Sequence, residues 1–300
     1  MLRRLFKEQE KIFSLKLADG TNWGFAATHA TLPWLDEFAK IMQLKEPSDQ
    51  EKINRRLMFL ALKNDNLQHL QDWNSYTQGK VYRIWEHNDI PENFIELNLD
   101  FVDHEEIRYI NMSASLKPLF KYYIENNRGC PIHAALAEYK RKGILIAASG
   151  GTGKSTCSRR LPKKREWIPL SDDNALLIQK NGQIMVHPLP TWSDHLWRRA
   201  FTTFNTSYFV PVSAIFFLEQ ADTDEVIPLS KNMAIKKVYE SFKQIWETFW
   251  VTMGKDTKIA MNKKLFDIAM EIIAMVPCYT LNATLNGKFW KELERVIDLP

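Results

Sequence analysis

The chain has 300 residues, 45% hydrophobic and 25% charged, which suits one large globular domain or two modest ones. Its 40 basic and 36 acidic residues leave a net charge of +4, too small to point to a nucleic-acid partner. Cys130, Cys157 and Cys278 are odd in number and lack C-x-x-C spacing, so neither a disulfide framework nor a zinc site is expected.

No apolar run nears the roughly 18 residues of a membrane helix. Glu8, Glu10 and Lys11 break up any secretory core behind the basic start, so a cytoplasmic protein without a membrane partner is expected.

In chain order, Phe13 to Leu17 and Trp23 to Ala27 flank Asp19-Gly20, a hairpin signal. Leu35 to Leu44 and Arg55 to Leu62 have helical spacing. Lys80 to Trp85, Asn93 to Leu99 and Ile107 to Met112 read as strands, and Ser113 to Asn126 as a helix that Asn127-Arg128-Gly129 stops. This predicts an N-terminal α+β module over residues 1–128.

The second domain, residues 129–300, opens with Pro131 to Glu138 as a strand, joined by the basic turn Lys140-Arg141-Lys142-Gly143 to an apolar strand, Ile144 to Ala148. The short turn predicts an antiparallel pair. Then comes Ser149-Gly150-Gly151-Thr152-Gly153-Lys154-Ser155-Thr156, a glycine-rich loop of the phosphate-binding P-loop type. Glycines allow a backbone that a Cβ would block, loop N–H groups converge on phosphate oxygens, Lys154 reaches the outer phosphates, and Ser155 ligates Mg²⁺. Ala148 stands where the usual pattern has glycine. A helix should follow Lys154.

Trp167 to Ser171 predicts a short strand that ends at Asp172-Asp173. Ala175 to Gln179 and Gln183 to His187 flank Asn181-Gly182, a strong hairpin signal. Val212 to Glu219 reads as a buried strand and Cys278 to Leu285 as a final one. Helices are expected around residues 235–249, 265–273 and 289–296. Hairpins on both sides of the P-loop argue for a mixed sheet rather than an all-parallel one.

A P-loop binds, and other groups must do chemistry. Asp172 and Asp173 end the next strand, about where such proteins present carboxylates to Mg²⁺ and to the nucleophile. As neighbours on an extended chain they point apart, so one would act as metal ligand or base and the other would hold the loop or a second metal. His133 lies on the strand paired with the P-loop strand, where register can bring it to the Asp pair. The loop from His187 to Asp194 carries Trp192 between Pro190 and Asp194, an aromatic anchor for an acceptor or a stiff surface loop. Arg198 and Arg199 follow and offer charge to a phosphate.

With His133, the P-loop and Asp172-Asp173 in this order, the chain resembles the HPr kinase/phosphorylase family, which shares its nucleotide-binding core with phosphoenolpyruvate carboxykinase. Residues 131–162, 170–178, 187–199 and 211–229 are more similar still to the kinase-like member of the SynChlorMet cassette, a gene group with radical-SAM enzymes and a small precursor peptide. The resemblance implies an α/β kinase core of the HPr kinase/phosphoenolpyruvate carboxykinase type, an ATP- and Mg²⁺-dependent transfer to a Ser or Thr hydroxyl of a peptide or small protein, Asp172 as base with His133 beside it, and Asp173 at the metal. The Glu-Arg pair of true HPr kinases has no counterpart here, which makes HPr itself an unexpected acceptor. A nucleotide-binding accessory protein that docks the precursor peptide is the alternative; a small-molecule phosphotransferase has no recognisable metabolite motif to support it.

Overall fold

The computed structural model describes residues 11–61, 73–78, 81–87, 89–102, 105–149, 151–162, 166–192, 203–247 and 254–298. It is a mixed α/β protein with two mixed sheets. The chain divides into two units. One comprises residues 1–119, 192–207 and 251–254; the other comprises residues 120–191, 208–250 and 255–300.

The first unit is built on six strands in the order β1-β2-β3-β6-β5-β4: β1 (Ile12–Lys16), β2 (Asn22–Ala27), β3 (Arg55–Ala61), β4 (Asn74–Gln78), β5 (Tyr82–Glu86) and β6 (Glu92–Leu97). The hairpin expected around Asp19-Gly20 is present as β1 and β2, and Asp19 caps its turn by accepting from the Thr21 N–H at 2.9 Å. The inner strands β2, β3 and β6 run parallel. Trp34 and Phe38, on the helix Leu32–Met42, meet Phe25 and Phe59 from the sheet in an aromatic core.

Two expectations fail in this unit. Residues Arg55 to Leu62 are predicted helical, but Arg55–Ala61 is strand β3. A parallel strand buried on both faces reads as a continuous apolar run, and such a run matches a helical template as well as a strand. Ile107 to Met112 is predicted as a strand but lies inside the helix Glu105–Ala114. That helix stops where the Ser115 hydroxyl and N–H both donate to the Asn111 carbonyl, at 2.7 and 2.9 Å, and a separate helix spans Lys117–Glu125.

The second unit holds eight strands: β7 (Gly129–Tyr139), β8 (Lys142–Ala147), β9 (Trp167–Ser171), β10 (Asn174–Lys180), β11 (Gln183–Pro188), β12 (Val210–Gln220), β13 (Glu225–Pro228) and β14 (Cys278–Ala283). Their order is β11-β10-β7-β8-β12-β14-β13, with β9 beside β7. As expected, β7 and β8 are antiparallel and β10 and β11 form a hairpin over Asn181-Gly182. Strands β8, β12 and β14 are parallel. Alternate residues of this sheet, among them Ile144, Ile146, Phe216 and Leu281, pack with Cys157, Leu161, Phe289, Leu293 and Ile297 of the flanking helical segments. Burying each large apolar side chain contributes about 1.5–3 kcal/mol. This core anchors the strand before the P-loop and the helix after it.

Candidate active site

Strand β7 organises the site because it changes partners along one edge. Its first half pairs with β10, ending at Asn174 opposite His133, and its last residues pair with β9, beginning at Ser171 opposite Leu136. The two-residue link Asp172-Asp173 therefore sits at the gap between those strands. On its other edge β7 pairs with β8, with Ala134 opposite Ala147, so His133 stands level with the start of the P-loop. Sheet register alone thus brings the His, the P-loop and the Asp pair together.

The loop leads into the helix Lys154–Arg160. Gly151 and Gly153 have φ of +80° and +105°, and nothing lies within 4 Å of where their Cβ atoms would be. Glycine is needed there for backbone conformation rather than for space. Ala148 is not among the positive-φ residues and its side chain belongs to the sheet core, so the departure from the usual glycine costs no strain. Gly150 lies outside the described residues.

Lys154 is 7% exposed. Its ammonium donates to the Ala148 carbonyl at 2.9 Å and to His133 Nε2 at 2.8 Å. On the other side of the imidazole, His133 Nδ1 lies 3.4 Å from Asp173 Oδ1 and 3.5 Å from Asn174 Oδ1. Asn174 Nδ2 in turn donates to Asp173 Oδ2 at 2.7 Å. One chain of contacts thus links the P-loop lysine to the Asp pair. Burial pulls the Lys154 pKa below its ordinary value, opposed by the Asp173 charge. Burial also lowers that of His133: desolvation outweighs the Asp173 carboxylate, and Lys154 pushes the same way as desolvation.

The resemblance implies His133 beside Asp172, but the imidazole meets Asp173 and Asp172 turns to different partners. Thr191, buried in the loop after β11, donates its hydroxyl to Asp172 Oδ1, and Arg159 Nη2 is 3.8 Å from Oδ2. The Leu189 N–H donates to the Asn174 carbonyl at 3.1 Å and holds that loop against the Asp link. Thr191, Asn174 and Arg159 carry no signal in the sequence that would single them out; only tertiary contact does.

Ser155, half-buried on the first turn of the helix, and Asp173 provide oxygen donors. Among the described residues no group of three or more His, Cys, Asp or Glu side chains forms a metal cage. Ser155 and Asp173 are oxygen groups of the kind a Mg²⁺ ion takes, one or two from a protein with the rest of its shell from phosphate and water. Thr152 and Thr156 complete the loop and the helix start, and Thr156 is exposed.

Trp192 is not an open anchor. It is 7% exposed and its ring stacks on Phe38 at 5.9 Å, within the aromatic core of the first unit. Asp194, Arg198 and Arg199 lie outside the described residues. Cys130, Cys157 and Cys278 are free and buried, and burial raises the Cys157 thiol to about 11 and the Cys278 thiol to about 12, values at which a thiol is unreactive. No helix among the described residues is long and apolar enough to cross a membrane.

A family model described as SynChlorMet cassette protein ScmC matches residues 97–298. The chain belongs to this family. Within the ScmC match fall His133, the P-loop, the Asp pair and Thr191, together with all eight strands of the second sheet. Among solved structures the chain is similar to the Hpr(Ser) kinase/phosphatase from Coxiella burnetii, at 13% identity over 55% of this chain and 95% of that one, with a TM-score of 0.30. No curated protein matches the chain.

Proposed function

We propose that this ScmC-family chain is an ATP- and Mg²⁺-dependent phosphotransferase acting on a Ser or Thr hydroxyl of a peptide or small protein, with the precursor peptide of its cassette as acceptor. In this reading residues 129–300 carry the chemistry and residues 1–128 serve peptide recognition. The observation that carries the proposal is the contact chain from Lys154 through His133 to Asp173, next to a turn whose other carboxylate is Asp172.

Lys154 has three N–H donors, and its present partners are a backbone carbonyl and a neutral imidazole. Phosphate oxygens form stronger, charge-assisted bonds, so an arriving nucleotide can replace these partners. Ser155 and Asp173 would hold Mg²⁺, which when bound neutralises charge on the outer phosphates. Asp172 takes the proton of the acceptor hydroxyl as its oxygen bonds to the terminal phosphorus. The bond from that phosphorus to the bridging oxygen breaks, and ADP leaves with the electron pair. Lys154 and the loop N–H groups stabilise charge on the transferred group. His133, neutral at pH 7, orients Asp173 and keeps Lys154 aimed into the loop.

One observation favours a second reading. Asp172 Oδ1 already accepts from Thr191, and Oδ2 faces Arg159. A carboxylate so engaged also suits a purely structural role, in an accessory protein that binds nucleotide and docks the peptide without transfer. Incubation with labelled ATP, Mg²⁺ and the cassette peptide separates the two. The kinase reading expects a peptide that has gained one phosphate on a Ser or Thr; ATP binding without any adduct supports the accessory reading.

A further inference from the structure

A second feature of the P-loop lies on its far side from the Asp pair. Strands β8 and β12 are parallel neighbours, with Ala147 opposite Phe217, so their carboxyl ends open together. Crevices at such ends are where α/β sheets take ligands. Here the crevice is a cleft of about 570 Å³, walled on one side by P-loop residues Ser149 and Thr152 and on the other by Phe217, Gln220, Lys237 and Gln244. That volume falls within the about 300–1,000 Å³ usual for small-molecule sites. None of the residues that carry the proposed transfer, His133, Asp172 and Asp173, lines it.

We infer that this cleft receives the nucleoside half of the nucleotide, with Gln220 and Gln244 reading the edge of the base. The inference rests on the nucleotide-binding reading above. A side-chain amide presents both a donor pair and an acceptor, the mixture that a base edge requires. Gln220 Nε2 also donates to the Thr152 carbonyl at 3.3 Å, tying the end of β12 to the P-loop. Lys237 pairs with Glu219 at 2.9 Å and stands over the Phe217 ring at 5.6 Å, which holds that wall in place. A nucleotide laid across the loop then has one polarity: base and ribose toward β12, terminal phosphate toward Lys154.

The test compares Mg²⁺-ATP with Mg²⁺-inorganic triphosphate by calorimetric titration of the full chain. Wild type should bind ATP at least about tenfold more tightly than triphosphate, because the nucleoside adds contacts that triphosphate lacks. In the Gln244→Ala variant, which keeps the Gln220 tie to the P-loop, that preference should fall by about fivefold, as expected for one lost hydrogen bond, while the triphosphate affinity stays within about twofold. Gln244 is exposed, and if Gln244→Ala fails to fold, Gln244→Met carries the same comparison. Equal binding of the two ligands by wild type, or an unchanged preference in the variant, overturns the cleft assignment alone. Failure of wild type to bind either ligand overturns the P-loop reading, and the cleft falls with it.

Discussion

Lys154 Nζ lies 2.8 Å from His133 Nε2, and this contact fixes the imidazole tautomer. An ammonium can only donate, so Nε2 accepts and the ring proton sits on Nδ1, facing Asp173 and Asn174. A protonated His133 would lose that acceptor and set two cations against each other. The contact between the two side chains therefore holds only while the histidine is neutral.

The pH consequence has a definite sign. The folded-state pKa of His133 lies below its ordinary 6.5, so the unfolded chain takes up the proton first as pH falls. This contribution to stability is fully present above pH 6.5 and is lost as pH falls through the folded value. Urea unfolding at pH 7.5 and pH 5 should show a larger acid loss for wild type than for His133→Asn. Equal losses would mean that the imidazole titrates freely.

Lys154→Ala should remove most of the rise in Tm that Mg²⁺-ATP gives wild type. At a hundredfold excess over Kd that rise corresponds to about 2.7 kcal/mol, because the ligand binds only the native state. An undiminished shift in the variant would mean that the phosphates sit elsewhere.

In the proposed transfer, Thr191 would act through Asp172. Its hydroxyl fixes Oδ1, and the loop that carries it is itself pinned by Leu189 to Asn174. Thr191→Val should lower kcat by about tenfold, within the range for a misplaced catalytic group, with ATP affinity unchanged, and Thr191→Ser should restore it. A loss of thermal stability with unaltered kcat would assign Thr191 to packing alone.

Trp192 offers a different outcome from the one its sequence suggests. Flanked by prolines and polar residues, it resembles an exposed anchor. Yet the chain returns at this point to the first unit, where Thr206 donates to the Met42 carbonyl at 2.8 Å and the indole stacks on Phe38. Trp192→Ala should cost about 3–5 kcal/mol of stability, the usual range for a large aromatic removed from a core. Chemical denaturation measures it; a cost under about 1 kcal/mol would return Trp192 to the surface.

What the sequence makes legible follows from how local each signal is. The P-loop frame and the hairpin over Asn181-Gly182 rest on glycines whose positive φ is a local requirement, and both are readable. The β7–β8 pair is readable from its short basic turn. Strand β3 is not, because an apolar run buried on both faces has no period of two. The helix Glu105–Ala114 is masked by Ile107, Tyr109 and Ile110, residue types common in strands. The gap in the partners of β7, which seats Asp172 and Asp173 beside His133, belongs to sheet register and has no sequence signature. The same holds for Thr191 against Asp172 and for Gln220 against Thr152.

If Asp172 takes the acceptor's proton during phosphoryl transfer, Asp172→Asn should abolish most transfer without touching nucleotide binding. The amide is nearly isosteric, retains an oxygen for the Thr191 hydroxyl and cannot take the acceptor's proton. Labelled-phosphate transfer to the cassette peptide and ATP affinity should be measured on the same preparation. Transfer should fall by at least about a hundredfold, as for loss of a general base, with ATP affinity retained. Full transfer by Asp172→Asn would remove Asp172 as the base.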